Sequence, residues 1–144
     1  MARVVFGLPL QFAFSTEVLI YIGHINHGQH LDNAQLLGLI GEARTRFLTS
    51  LGYTDRDAEG LAMVVGDVVV QYQSEALYGE TLRIDLTPVD FNKYGFDLVF
   101  RITEASQGRA VAKGKQGLVF TDPQDHKVRS LPPALLVKLG QTPA

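Results

Sequence analysis

Apolar and polar residues alternate from Phe12 onward. Phe12, Phe14, Val18, Ile20 and Ile22 share one parity, with Thr16 as its polar member, and Ala13, Ser15, Glu17, Leu19 and Tyr21 hold the other. A period of two is that of a strand with one buried face. The strand runs into a polar loop from Gly23 to His30, after which the period changes. Leu36, Ile40, Ala43, Phe47 and Leu51 recur at helical spacing, widened by Leu37 and Leu48, with Asp32 or Asn33 placed to cap the start and Gly52 to close the end. These limits predict a helix of about 18 residues, ~27 Å long. Gly38 and Gly41 lie inside it, each at a cost of ~1 kcal/mol relative to alanine. Their presence implies that a sheet or a second helix comes close to that side.

Four more strands follow. Met63 to Ser74 contains the run Val68, Val69, Val70 and reads as a central strand buried on both sides. Thr81 to Thr87 places Leu82, Ile84 and Leu86 inward and Arg83 and Asp85 outward. Gly95 to Glu104 repeats the pattern with Phe96, Leu98, Phe100 and Ile102, and Ser106, Gln107 and Gly108 turn it into a long strand over Arg109 to Thr121. Pro132 and Pro133 open a short apolar helix ending near Leu139. An antiparallel sheet that buries one face needs a cover, and only the long helix is able to supply it. The expected class is therefore α+β, a long helix packed on a five-stranded antiparallel sheet, forming a single domain over residues 1–144. One helix leaves part of five twisted strands bare, so self-association is expected, with a copy of the chain covering the remainder.

Composition narrows the chemistry. Apolar residues make up 46% of the chain and charged residues 19%, which suits a folded domain that buries ~68–70% of its unfolded surface. The absence of cysteine excludes disulfides, thiolate metal sites and a cysteine nucleophile. A formal charge of −2 offers no electrostatic footprint for nucleic acid. No apolar run approaches the ~20 residues of a membrane helix. Pro9 and Gln11 interrupt the apolar start, so Met1 to Phe14 reads as a lead-in to the first strand rather than a leader, and the expected address is cytoplasmic.

Candidate chemistry gathers in the first loop. His24, His27 and His30 are three of the four histidines in the chain. Imidazole titrates near neutrality and is the commonest general base. The same spacing also admits a metal, or simple bonding to loop carbonyls. Asp67, an ionisable residue in an apolar strand, is either a further base or a polar residue at an exposed sheet edge.

The words around this loop carry a resemblance. His30-Leu31-Asp32-Asn33-Ala34, an apolar stretch, and then Glu42-Ala43-Arg44 are similar to the signature Gly-His-Val-Asn-Asn-Ala … Glu-Ala-Arg of the 4-hydroxybenzoyl-CoA thioesterase-like family. His30 falls on the family histidine and Asn33 on the second asparagine. Tyr78-Gly79-Glu80 resembles the family's Tyr-Gly-Asp, and the likeness runs from about Phe14 to Val128. It implies the hotdog fold and hydrolysis of acyl-CoA or acyl-carrier-protein thioesters without a cofactor. It also implies active sites between two subunits at the helix N-terminus, hence a homodimer or homotetramer. Physical chemistry makes that place suitable. The first helical turn has unpaired N–H groups and a partial positive charge, and a well-placed donor stabilises a developing oxyanion by ~2.7–4 kcal/mol. The N–H groups near Asn33 and Ala34 are the candidates, although Asp32 and Asn33 serve equally as plain caps.

One departure matters. The family commonly has aspartate four residues before the histidine, where this chain has Asn26, and often another two residues earlier, where it has His24. A neutral amide neither takes a proton from water nor attacks a carbonyl. Asn26 is left to orient a water or the substrate, and the base is expected from His27 or His30, or from Glu42. Glu42 lies ~15 Å along the helix and reaches such a site only across an interface. Lys93 matches the place of a family basic residue that meets the nucleotide, and Arg101, Lys113 and Lys115 are further candidate partners for coenzyme A phosphates. Leu36, Leu37 and Val65 are expected to line the acyl pocket. The missing aspartate also leaves open a different class, a protein that binds acyl-CoA without hydrolysing it. A hydratase would need a paired acid and base, and none stands out.

Overall fold

In the computed structural model, which describes residues 3–142, the alternating segments become β1 (Phe14–Leu19), β2 (Ala62–Tyr72), β3 (Thr81–Val89), β4 (Gly95–Glu104) and β5 (Ala110–Thr121). They form one antiparallel sheet in the order β1-β3-β4-β5-β2. Helix α1 (Asn33–Ser50) lies on one face and the short α2 (Pro133–Lys138) follows the last strand. Met1, Ala2 and the last two residues of the expected domain lie outside the described residues. No helix among the described residues is long and apolar enough to cross a membrane.

Side-chain parity explains the core. Val18, Leu82, Ile84, Leu86, Phe96, Leu98, Phe100, Ile102, Leu118 and Phe120 face α1, which returns Leu36, Leu39, Ile40, Ala43, Phe47 and Leu48. Leu37, expected within the stripe, is exposed, and Leu39 takes its place. Gly52 ends the helix with a φ of +84°, a left-handed conformation that glycine adopts without a Cβ clash. At Gly38 an added Cβ would meet nothing within 4 Å, and at Gly41 only the Arg44 guanidinium at 3.7 Å. The close neighbour expected there is absent among the described residues, and Gly38 lines an open groove beside β1. Arg46 bridges the gap, donating to Thr16 Oγ1 at 2.8 Å and to the Glu17 carbonyl at 2.7 Å.

The run of valines is not central. β2 is an edge strand, and a bulge between Val65 and Asp67 shifts its register against β5. The bulge reverses the parity of every residue beyond it, so Val65 and Val68 share a face and the local sequence imitates a strand buried on both sides. Helix α1 packs mainly over β1 and β3, which leaves Val65 and Val68 exposed on its side of the sheet, while Val64 is exposed on the opposite face.

Asp85 corrects the expectation in the other direction. It points away from α1, as its parity requires, yet is only 2% exposed. Arg83 Nε donates to its Oδ1 at 3.0 Å, and Arg101 donates Nε and Nη2 to its Oδ2 at 3.0 and 2.9 Å. The N-terminal segment crosses this face, with the Phe6 N–H on Gln71 Oε1 and the Phe12 ring 4.5 Å from the Arg101 guanidinium. Burial pushes the Asp85 carboxyl up, but hydrogen bonds from Arg101, Arg83 and Ser15 and the charge of Arg101 outweigh it and hold the group below the usual carboxylate range. A depressed folded-state value contributes stability above the unfolded-state value that is lost as pH falls through the folded one. Asp85→Asn is expected to cost about 2–3 kcal/mol at pH 7, less than a fully buried pair because both arginines reach water. The difference from the parent should shrink below about pH 4. Urea titrations at pH 7 and pH 3 check it, and parallel curves at both pH values would contradict it.

Candidate functional site

The loop between β1 and α1 folds on itself before the helix begins. A short 3-10 turn over Ile22–His24 is closed by the Tyr21 N–H on His24 Nδ1 at 2.9 Å. Asn26 N–H then donates to the His30 carbonyl and Gln29 N–H to the Asn26 carbonyl, both at 3.0 Å. His27 sits exposed at the tip of this turn, and Gln29 takes a left-handed φ of 68°. The Asn26 side chain lies inside the turn, Oδ1 accepting the Gly28 N–H at 2.9 Å and Nδ2 aimed at Asp32 Oδ1 at 3.5 Å. A Cβ on Gly28 would stand 2.9 Å from His30 Nε2 and 3.2 Å from Asn26 Oδ1, so the glycine lets these two groups flank it. His30 Nδ1 is 3.1 Å from the Leu31 carbonyl oxygen. A carbonyl only accepts, so the neutral ring carries its proton on Nδ1 and presents the Nε2 lone pair.

Asp32 is the N-cap of α1, with Oδ2 accepting from Ala34 N–H at 3.0 Å and Gln35 N–H at 3.1 Å. The Ala34 donor is therefore occupied by the cap, whereas the Asn33 N–H has no acceptor among the described residues. Facing it is the far end of β2. Tyr72 Oη donates to the Asn33 carbonyl at 2.9 Å, and burial, followed by the charge of Asp32, pushes its phenol up. Between the two elements lies a cleft of about 400 Å³ lined by Asn26, His30, Asn33, Leu36, Tyr72, Glu75, Ala76 and Val111 among others.

The structure thus brings Asn26, His30 and Asn33 together and leaves other expected residues apart. Glu42 faces a different groove, on the β1 side of α1, where its carboxylate accepts from Arg46 Nε at 2.8 Å. Arg44 of the same signature runs beneath the helix and donates to Gln116 Oε1 at 2.7 Å. His24 also lines the Glu42 groove, and no group of three or more metal-binding side chains assembles among the described residues. Leu36 lines the cleft, while Leu37 and Val65 do not. Lys93 lies 5.4 Å from the Tyr94 ring centroid. Arg101 is held by Asp85, and Lys113 lies opposite Arg101 in the β4–β5 register. Lys115 donates to Asp67 at 2.7 Å and to Asp97 at 3.2 Å. The bond from Lys115 holds the Asp67 carboxyl below its usual range, and Asp67 sits at the exposed edge of β2, away from the cleft. Tyr72 and Glu75 escape a reading of the sequence, since neither stands in a motif and only the fold carries them to the loop.

These features match a known class of protein. A model of the thioesterase-like superfamily covers residues 20–139 of the chain. The chain belongs to that superfamily, and its fold is the hotdog fold. Among solved structures, a 1,4-dihydroxy-2-naphthoyl-CoA thioesterase from Synechocystis superposes with a TM-score of 0.79 at 18% identity, over 88% of this chain and 95% of the other. A probable thioesterase from Escherichia coli gives 0.72 at 24% identity over 89% and 97%. A gentisyl-coenzyme A thioesterase gives 0.77 at 17% over 88% and 99%. No curated protein matches the sequence significantly.

Proposed function

We propose that the protein hydrolyses acyl-CoA or acyl-carrier-protein thioesters to free acid and thiol, with the chemistry in the cleft at the start of α1. The observation that carries this is that Asn26, His30 and Asn33, whose N–H has no partner among the described residues, line that one cleft, in a chain of the thioesterase-like superfamily. Water held between Asn26 and His30 attacks the thioester carbonyl carbon, and its proton passes to His30 Nε2. The carbonyl pair moves onto oxygen, where the Asn33 N–H and the positive end of the helix meet it. Collapse restores the carbonyl and breaks the carbon–sulfur bond, and the proton on Nε2 passes to the departing thiolate. His27 stands in reserve at the turn tip, and Glu42 acts only if a second subunit turns its groove toward a cleft.

The uncovered edge of β2 supports self-association as a homodimer or homotetramer. An eleven-residue edge strand with exposed Val64, Val65 and Val68 is a surface that soluble proteins rarely leave bare. Lys93, Arg101, Lys113 and Lys115 are the cations we assign to substrate phosphates; among the described residues Lys93 and Lys113 form no ion pair, whereas Arg101 and Lys115 are held by carboxylates.

The expected result is thiol release from at least one member of an alkyl and aryl acyl-CoA panel, slowed at least about tenfold by Asn26→Ala. Unchanged turnover in the variant removes Asn26 from the mechanism. The Asn26 Oδ1 bond to its own loop favours a second reading, an acyl-CoA binder that leaves the thioester intact. Bound thioester persisting for hours would establish it.

A further inference from the structure

We propose that Glu75, in the segment joining β2 to β3, is the positioning residue of His30, supplying from a distant loop the carboxylate that position 26 lacks. The proposal rests on the thioesterase reading above. Glu75 lines the same cleft, and its Oε1 lies 3.8 Å from His30 Nε2. The Leu31 carbonyl fixes the ring proton on Nδ1, so Nε2 meets Glu75 as a lone pair before reaction. When Nε2 takes the proton of the attacking water, the contact becomes a cationic N–H against a carboxylate. The interaction therefore strengthens as the charge develops, which is the condition for acting on kcat rather than on binding.

The two loops are fastened so that this contact is kept. Leu31 N–H donates to the Ala76 carbonyl at 2.7 Å. Arg109 Nη2 donates to the Glu75 carbonyl at 3.2 Å and to Glu80 Oε1 at 2.7 Å, and the same Glu80 oxygen accepts the Leu77 N–H at 2.7 Å. Glu80 belongs to Tyr78-Gly79-Glu80, whose Gly79 turns at a φ of +82°. That signature thus anchors the backbone of Glu75, while the side chain is left free to face His30. At 72% exposure the carboxylate is solvated, so its contribution is that of an aimed charge rather than of a buried pair.

The parent, Glu75→Gln and Glu75→Asp are compared with benzoyl-CoA and hexanoyl-CoA as probes, and the ring ¹⁵N frequencies of His30 are recorded at one pH, with His126 as the control ring. Glu75→Gln should lower kcat about tenfold with KM within about twofold, and Glu75→Asp should recover part of the loss. The His30 frequencies should move in Glu75→Gln while those of His126 stay. Parental kcat in Glu75→Gln overturns the proposal and leaves the thioesterase reading standing. If the parent releases no thiol from either probe, the thioesterase reading fails for these substrates and the ring frequencies decide: movement supports the pair, and coincidence with the parent overturns it.

Discussion

Gly114→Ala should destabilise the fold severely. Gly114 lies in β5 where β2 and β4 press on it from either side. A Cβ built there falls 1.8 Å from the Val69 carbonyl oxygen and 2.9 Å from Phe100 Cζ. Neither neighbour is free to yield. Val69 belongs to the β2 backbone, paired along its length with β5, and Phe100 is fully buried against α1. Relief requires β2 to leave β5 locally, breaking ladder bonds and lifting the wall of the cleft that Tyr72 forms. We expect a loss above about 4 kcal/mol, in the range reserved for severe core clashes. Against a total of roughly 5–15 kcal/mol for a domain, that removes about a quarter of the stability at the upper end and most of it at the lower. Urea unfolding followed by circular dichroism tests it. A variant melting within a few degrees of the parent would mean that the β2–β5 approach is looser than described.

The sequence discloses what is local and hides what is assembled. The inward set Leu82, Ile84, Leu86 is legible because period two is a property of one segment, whereas the burial of Asp85 depends on Arg101 and on the N-terminal segment, both remote in the chain. β2 is misread for a related reason. Gly66 and the bulge beside it place valines of both parities on one face, and only pairing with β5 reveals the shift. The ends of α1 are legible, since an aspartate cap and a glycine stop are chemical features of single residues. In the cleft, Asn26, His30 and Asn33 stand within eight residues of one another and are visible together. Glu42 lies on the same helix as Asn33, but the direction it faces is decided by packing over β1, and its pairing with Arg46 follows from that. Tyr72 and Glu75 have no local pattern at all and are brought in by the turn that ends β2.

His30→Ala should cause the largest loss of activity. Among the described cleft-lining groups, His30 is the imidazole, and its Nε2 is left without a proton by the Nδ1 contact to Leu31. Asn26 cannot substitute, being an amide already engaged with Gly28. Glu75 faces the same Nε2 at 3.8 Å and acts through the charge that the ring gains, so it does not replace the ring as base. Removing a general base typically costs 10²–10⁴-fold, so kcat is expected to fall by about 10²–10³ while KM changes by less than about threefold. The fold should hardly respond, because the ring is partly exposed and contributes one loop contact; surface changes of this kind stay within about 1 kcal/mol. His27→Ala provides the contrast, since that ring lies at the exposed tip of the turn, and it should retain nearly full activity. Added imidazole should restore part of the His30→Ala rate by entering the vacated space as a free base. Full activity in His30→Ala, or a loss that appears instead in His27→Ala, would move the proton acceptor out of the cleft and with it the attacking water.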